Sequence, residues 1–375
     1  MGYASKRQVD DANQVLDTGS FAQKQSFLRT TPINPPDGAV IPKYTRGYVP
    51  PKSEDVEPFQ EFTKVKIDQA IDMIAFIKFK IVVRDQVGAL TFETKSPREL
   101  KKASDRVGYI PIWWLPWKSR NIVKIKIPDV ATSPTIAGGG GIDPVPNPGI
   151  FFTAAINGCS VFAVGSARAV SLYHAGITGE LSKALGDRFA TLGGTSEAVW
   201  QSLVGRNATA GKAVGQVNRS EYVAERKPGT AGEQDRFKTA EGNYTTHRGS
   251  TFQDFLSGKT DLDAVSVSPW GCAFGLRSDA GDWSFTLMKN ATLEYFRLTN
   301  KKRLIGKPKK VQVMEKTLQW NVLKPDGSVN QAMLDGLKEP YKESKFATCV
   351  SLGYREFFPG NNSAVYHDFS TITLV

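Results

Sequence analysis

Cysteine is scarce in this chain. Its 375 residues hold three, Cys159, Cys272 and Cys349, at long spacings. An odd, widely spaced set makes a poor disulfide framework, and without a Cys-x-x-Cys pair there is no local zinc ribbon. Histidine is as sparse: His174, His247 and His367 are the whole supply. Chemistry that needs an imidazole therefore has a short candidate list. No run approaches the roughly 18 apolar residues of a transmembrane helix. Residues 1–20 have no apolar core, so the expectation is a chain without a conventional secretory signal peptide. Gly2 invites an N-myristoylation reading, but Lys6 stands where that motif needs Ser or Thr. Acidic residues are in deficit, 37 against 48 basic ones, for a net charge of +11. Such a balance suits nucleic acid, a membrane surface or an acidic protein partner, and speaks of association rather than fold.

Apolar residues are plentiful at 40%, with 10% aromatic, enough for a packed core. Residues 1–60 read as an extended arm. Pro32, Pro35, Pro36, Pro42, Pro50, Pro51 and Pro58 punctuate it, and no apolar periodicity is sustained, which fits an export or partner-binding segment. Residues 61–375 read as the main domain, with a polar stretch near 205–260 expected as an exposed excursion. Ile67, Ala70, Ile71, Ile74 and Ile77 suit a helix, and Phe79, Ile81 and Val83 a following strand. Strands are further expected at 89–93, 123–127, 270–276, 283–288, 292–298, 311–322, 346–358 and 364–375, and helices at 179–192 and 196–204. The loop at 137–148 contains four consecutive glycines but no Lys-Ser/Thr after them, so a phosphate cradle is not indicated. Trp113, Trp114 and Trp117 form a cluster that belongs in a core or a pocket wall.

The chemistry concentrates in residues 149–176, the most strand-like part of the chain. A hairpin with Ser166 and Ala167 as its loop sets Cys159 opposite His174 and gives them one apolar face with Val161, Ala163, Val170 and Leu172. Directly opposed residues have Cβ atoms about 4.5–5.5 Å apart. A neighbouring imidazolium favours the thiolate, the nucleophilic form. Gly158 permits a tight bend, and backbone N–H groups at Gly158 and Cys159 can serve as an oxyanion hole. The structural alternative is a buried cysteine beside a core histidine. Elsewhere, His247 lies in a polar stretch and reads as solvated, His367 reads as core or surface, and Cys272 and Cys349 read as small core hydrophobes.

The segments Ile112-Trp113-Trp114-Leu115-Pro116-Trp117-Lys118, Phe151-Phe152-Thr153 through Asn157-Gly158-Cys159, and Tyr173-His174 resemble the bacterial glutamine deamidase toxins of the Burkholderia lethal factor and cytotoxic necrotizing factor group. The order of the segments and the spacing from Thr153 to Cys159 match. Asn157 stands where the family has Ser. The resemblance covers roughly residues 110–176. It implies Cys159 as nucleophile, His174 as general base and acid, and Thr153 as a polar pocket residue assisting the carboxamide. It implies no metal and no cofactor. It also implies a secreted or injected effector acting on a host protein, with a GTPase and a translation helicase as family precedents. The expected fold is α+β: two mixed or antiparallel β-sheets in a sandwich core, helices outside, and the catalytic pair on a β-hairpin. A monomer is expected.

Two enzyme classes share the pair: a cysteine protease and a transglutaminase. The remaining alternative is a non-enzymatic, basic nucleic-acid- or protein-binding protein. Its best feature is the run from Arg297 to Lys310, which has seven basic residues and no acid. Aromatics do not interleave with those bases, which disfavours a single-strand stacking platform.

Overall fold

The computed structural model describes residues 6–36, 46–49, 60–62, 70–80, 89–117, 122–156, 159–175, 213–218, 221–222, 262–297 and 345–367. Helix α1 (Lys6–Thr18) and helix α2 (Phe21–Thr30) come first. Among the described residues sixteen strands come after them: β1 (Arg46–Val49), β2 (Gln60–Phe62), β3 (Ile74–Lys80), β4 (Thr91–Lys95), β5 (Ile110–Leu115), β6 (Ile122–Ile127), β7 (Thr135–Ile136), β8 (Val145–Pro146), β9 (Ile150–Thr153), β10 (Ser160–Gly165), β11 (Val170–Ala175), β12 (Ala213–Val217), β13 (Leu262–Arg277), β14 (Trp283–Arg297), β15 (Lys345–Phe358) and β16 (Val365–Tyr366).

The molecule is mostly β, with an eight-stranded mixed sheet in the order β16-β15-β14-β13-β9-β5-β3-β4. Among its described strands only β5 and β9 pair in parallel. A parallel pair needs a crossover, and this chain makes it by sending β6 into the second sheet before returning. That second sheet is antiparallel, built on β12-β10-β11-β6 and continued by β1 and β2.

Two apolar layers result. One lies between the sheets and holds Trp113, Leu115, Val123, Ile125, Phe151, Val161, Leu172 and Phe285. The other covers the outer face of the eight-stranded sheet, where Ile112, Trp114, Phe152 and Phe274 meet Val9, Ala12, Leu16 and Leu28 of the helices. Strand β5 is apolar throughout because alternate residues enter different layers and both layers are lined by apolar side chains. The tryptophan cluster is thus largely core. Trp113 donates its indole N–H to Asn147 Oδ1 at 3.2 Å and to the Pro148 carbonyl at 3.1 Å.

Several local expectations are corrected. Residues 6–18 and 21–30, expected within an extended arm, are helical. Val9, Ala12 and Leu16 recur at helical spacing and bury one face. Ser20 and Gln23 close a capping box on α2, with hydrogen bonds of 2.8 and 3.3 Å. The helix expected through Ile77 is a 3-10 turn at Ala70–Met73, and Ile74 and Ile77 already belong to β3. The hydrophobic run there is buried on both faces, so helical spacing was fortuitous. Within the polar stretch expected as an excursion, Ala213–Val217 is an edge strand pairing with β10, and Tyr222 is buried. The expected strand at 292–298 is the far half of the long β14. The expected helices at 179–192 and 196–204, the strand at 311–322, His247 and the basic run beyond Arg297 lie outside the described residues.

Candidate active site

Strands β10 and β11 form the hairpin that carries the candidate pair. Its loop is Ser166–Ala169, and Gly165 pairs with Val170. Ser166 N–H donates to the Ala169 carbonyl at 3.1 Å, and Ala169 N–H donates to Ser166 Oγ at 3.1 Å. Gly165 is required at the turn: its φ is +153°, and a Cβ would sit 2.2 Å from the Ala169 carbonyl oxygen. The tip is pinned to the β13–β14 turn. There Trp283 N–H donates to the Ala167 carbonyl at 2.7 Å, and Arg168 meets Asp282 at 3.3 Å.

This loop is two residues longer than a Ser166-Ala167 turn, and the register moves accordingly. His174 opposes Val161, not Cys159, and Leu172 opposes Ala163. The expected direct opposition of Cys159 and His174 is therefore corrected. A shift of two residues keeps every side chain on its face. Cys159 and Val161 both enter the layer between the sheets. Extending the register one residue beyond Ser160 would make Cys159 a diagonal neighbour of His174, a position about 7–8 Å away.

Strand β11 is central, with β10 on one side and β6 on the other, so His174 lies between Val161 and Val123. It is 0% exposed, and neither ring nitrogen has a hydrogen-bond partner among the described residues. Burial pushes its pKa down to about 3; the nearby Leu115 carbonyl pulls the other way but falls short of hydrogen-bond geometry. The ring is neutral at pH 7. This corrects the expected imidazolium: desolvation outweighs any gain from charge here. In this closed layer the His174 ring is uncharged.

Thr153 ends β9, opposite Leu115 of β5. It is 0% exposed, and its Oγ1 accepts the Ala273 N–H at 3.4 Å. A hydroxyl that accepts still has a proton to donate. Thr153 shares its face of β9 with Phe151, which points between the sheets. Between the pairs Phe152–Phe274 and Ile156–Gly271 the register slips by one residue, so Thr153–Ala155 accommodates an extra residue. Such a bulge bends the strand and re-aims the side chains beyond it. Ala154 N–H turns to the Leu115 carbonyl at 3.0 Å, and Ile156 enters the layer between the sheets. The chain next reaches Asn157 and Gly158, which lie outside the described residues, and then Cys159. Cys159 is 8% exposed.

Sequence reasoning missed Tyr222, whose hydroxyl donates to the Cys159 carbonyl. It also missed the ion pair of Arg355 with Glu221, at 2.6 Å, which braces the turn carrying Tyr222. The signal was slight: one large aromatic after a short apolar stretch, in polar surroundings. Cys272 and Cys349 are buried in the outer layer, as expected of small core hydrophobes. Burial raises both thiol pKa values, that of Cys349 to about 11. His367 packs its ring 5.9 Å from that of Tyr354. Among the described residues no three His, Cys, Asp or Glu side chains cluster as a metal site, and no helix is long and apolar enough to cross a membrane. No protein-family model matches the chain, and no curated protein matches it significantly.

Proposed function

We propose that this chain is a protein-glutamine deamidase of the bacterial toxin type, with Cys159 as nucleophile and His174 as the general base and acid. The observation that carries the reading is that the strand registers turn three polar side chains toward one largely apolar layer. Cys159 and His174 come from the hairpin, and Thr153 comes from the facing sheet.

In the proposed reaction the Cys159 sulfur attacks the carbon of a glutamine carboxamide while neutral His174 accepts the thiol proton. The tetrahedral oxyanion is held by backbone N–H groups, those of Gly158 and Cys159 being the expected donors, and Thr153 orients the carboxamide. His174 returns its proton to the departing nitrogen, ammonia leaves, and a thioester remains. Water, deprotonated by His174, attacks the thioester. Glutamate is released and the thiol regains its proton. One amide and one water give one carboxylate and one ammonia, with no redox step and no cofactor. The substrate is proposed to be a host protein, and the protein itself an effector delivered into host cytosol. A carboxylate placed on a regulatory surface alters that surface's electrostatics permanently.

The burial of Cys159 and His174 favours one competing reading, a retained fold without catalysis, in which the pair is core packing. Ammonia release separates them. The full chain is incubated with eukaryotic cytosolic extract, and both ammonia and glutamine-to-glutamate conversion are followed by mass spectrometry, with Cys159→Ser as control. Ammonia that depends on Cys159, with uncut polypeptides, supports deamidation. Cys159-dependent cleavage indicates a protease, and incorporation of an added amine indicates a transglutaminase. Identical extracts from wild type and Cys159→Ser support the non-catalytic reading.

A further inference from the structure

Cys159 sits just outside the strand ladder. Strand β10 begins at Ser160, and β12, its neighbour on one side, ends at Val217 opposite Val161. Two more residues of β12 in this register would have carried the ladder to the cysteine. Instead the chain turns, with Glu221 N–H donating to the Asn218 carbonyl at 3.1 Å and Asn218 N–H donating to Glu221 Oε1 at 2.9 Å. The turn delivers Tyr222, 4% exposed, into the same apolar layer as Cys159, Ile156 and Val217. There its hydroxyl donates to the Cys159 carbonyl.

The turn is itself held from the opposite sheet. Arg355 of β15 donates through Nε to Glu221 Oε2 at 2.6 Å and through Nη2 to Glu221 Oε1 at 2.7 Å. The same Nη2 reaches the Gln216 carbonyl at 2.7 Å. A two-pronged guanidinium–carboxylate pair fixes direction as well as distance, and this one is largely shielded from water.

We infer that Tyr222 is a positioning residue for the candidate nucleophile, and that the Arg355–Glu221 pair holds it in place. The inference rests on the deamidase reading. The chain of contacts runs from β15 through Arg355 and Glu221 to Tyr222, and ends on the peptide that joins Cys159 to Ser160. Fixing that carbonyl fixes the rotation of the peptide, and with it the direction of the Cys159 Cα–Cβ bond. A diagonal cysteine–histidine pair needs such a constraint more than a directly opposed one, because the thiol has further to reach. Tyr222 acts through the backbone of Cys159 and is not itself a catalytic group.

The test uses the full chain and a small alkylating reagent, iodoacetamide, with labelling of each cysteine mapped by mass spectrometry between pH 5 and 8. Tyr222→Phe keeps the ring and removes the hydroxyl, and Arg355→Met removes the brace. Glu221→Gln serves as a second brace variant if Arg355→Met does not fold, and thermal melting checks each. The expected result is a fall of about 10- to 100-fold in the His174-dependent labelling of Cys159 in Tyr222→Phe. The brace variant falls similarly, and the double variant is no slower than the slower single one. Labelling of Cys272 and Cys349 stays at the wild-type level. A merely structural role gives the opposite sign: loosening exposes the thiols, and Cys159 labels faster without depending on His174. That result, or an unchanged rate in Tyr222→Phe, overturns the inference while leaving the deamidase reading intact. Wild-type labelling that is already indifferent to His174 overturns the deamidase reading and this inference with it.

Discussion

His174 carries a polar ring into a largely apolar layer, and that placement sets its energetics. Its folded pKa is lowered to about 3 from an ordinary value of 6.5. Below pH 6.5 the unfolded chain takes up a proton that the folded chain refuses. The neutral ring therefore costs no proton linkage at pH 7, and stability is lost as pH falls from about 6.5 toward 3, at roughly 1.4 kcal/mol per unit. Urea unfolding at pH 7 and pH 5 should show this slope in wild type and lack this part of it in His174→Leu. The same substitution removes two ring nitrogens that have no partner among the described residues, so it should raise stability at pH 7 by about 1–3 kcal/mol while abolishing activity. A stability loss in His174→Leu would mean that the ring has partners in solution. Thr153→Val should cost about 1–3 kcal/mol, because the Ala273 N–H loses its acceptor in a largely apolar layer. At this scale the residue types of the site were legible from the sequence, since Cys and His are so few. The protonation state of His174 was not, because it depends on complete desolvation by Val161, Val123 and the facing sheet.

The β10–β11 hairpin shows how an element can be read correctly in face and wrongly in register. Alternation through Val161 and Ala163, and through Val170, Leu172 and His174, fixes which side chains turn inward. It says nothing of whether two or four residues make the turn, because both choices preserve the faces. The deciding feature is Gly165, whose backbone only glycine tolerates. Gly165→Ala should cost about 1–3 kcal/mol and disturb the loop rather than the faces. Thermal melting together with cross-strand contacts between Val161 and His174 in solution checks this; a neutral substitution contradicts the turn geometry. Helices α1 and α2 were hidden for a different reason. Each buries few residues, one of them the small Ala12, so their apolar pattern is thin until the outer face of the eight-stranded sheet is present to receive it. Tyr222 was hidden because its partner is a backbone carbonyl, which leaves no mark on the sequence.

Across the whole molecule only one of the two layers holds the candidate chemistry. Phe285 lies between the sheets, its ring 5.3 Å from Phe151, 5.5 Å from Trp283 and 5.7 Å from Phe358. Leu28 lies in the other layer, beneath the helices. Leu28→Ala should cost about 2–5 kcal/mol by leaving a cavity, yet leave Cys159 labelling at its wild-type rate, because the eight-stranded sheet stands between them. Two sheets with helices outside were anticipated as an α+β fold; the described residues are mostly β, and their two helices are N-terminal ones, where an extended arm was expected. The central claim is that Cys159 and His174 act as one unit, and its most direct test is the rate of iodoacetamide labelling of Cys159 against pH. A lone thiol slows about tenfold for each unit below its ordinary pKa of roughly 8.5. With neutral His174 as proton acceptor, the rate should stay nearly level from pH 8 to pH 5, and His174→Ala should restore the steep decline. A steep decline already present in wild type, unchanged by His174→Ala, would contradict the account and leave the pair as core packing.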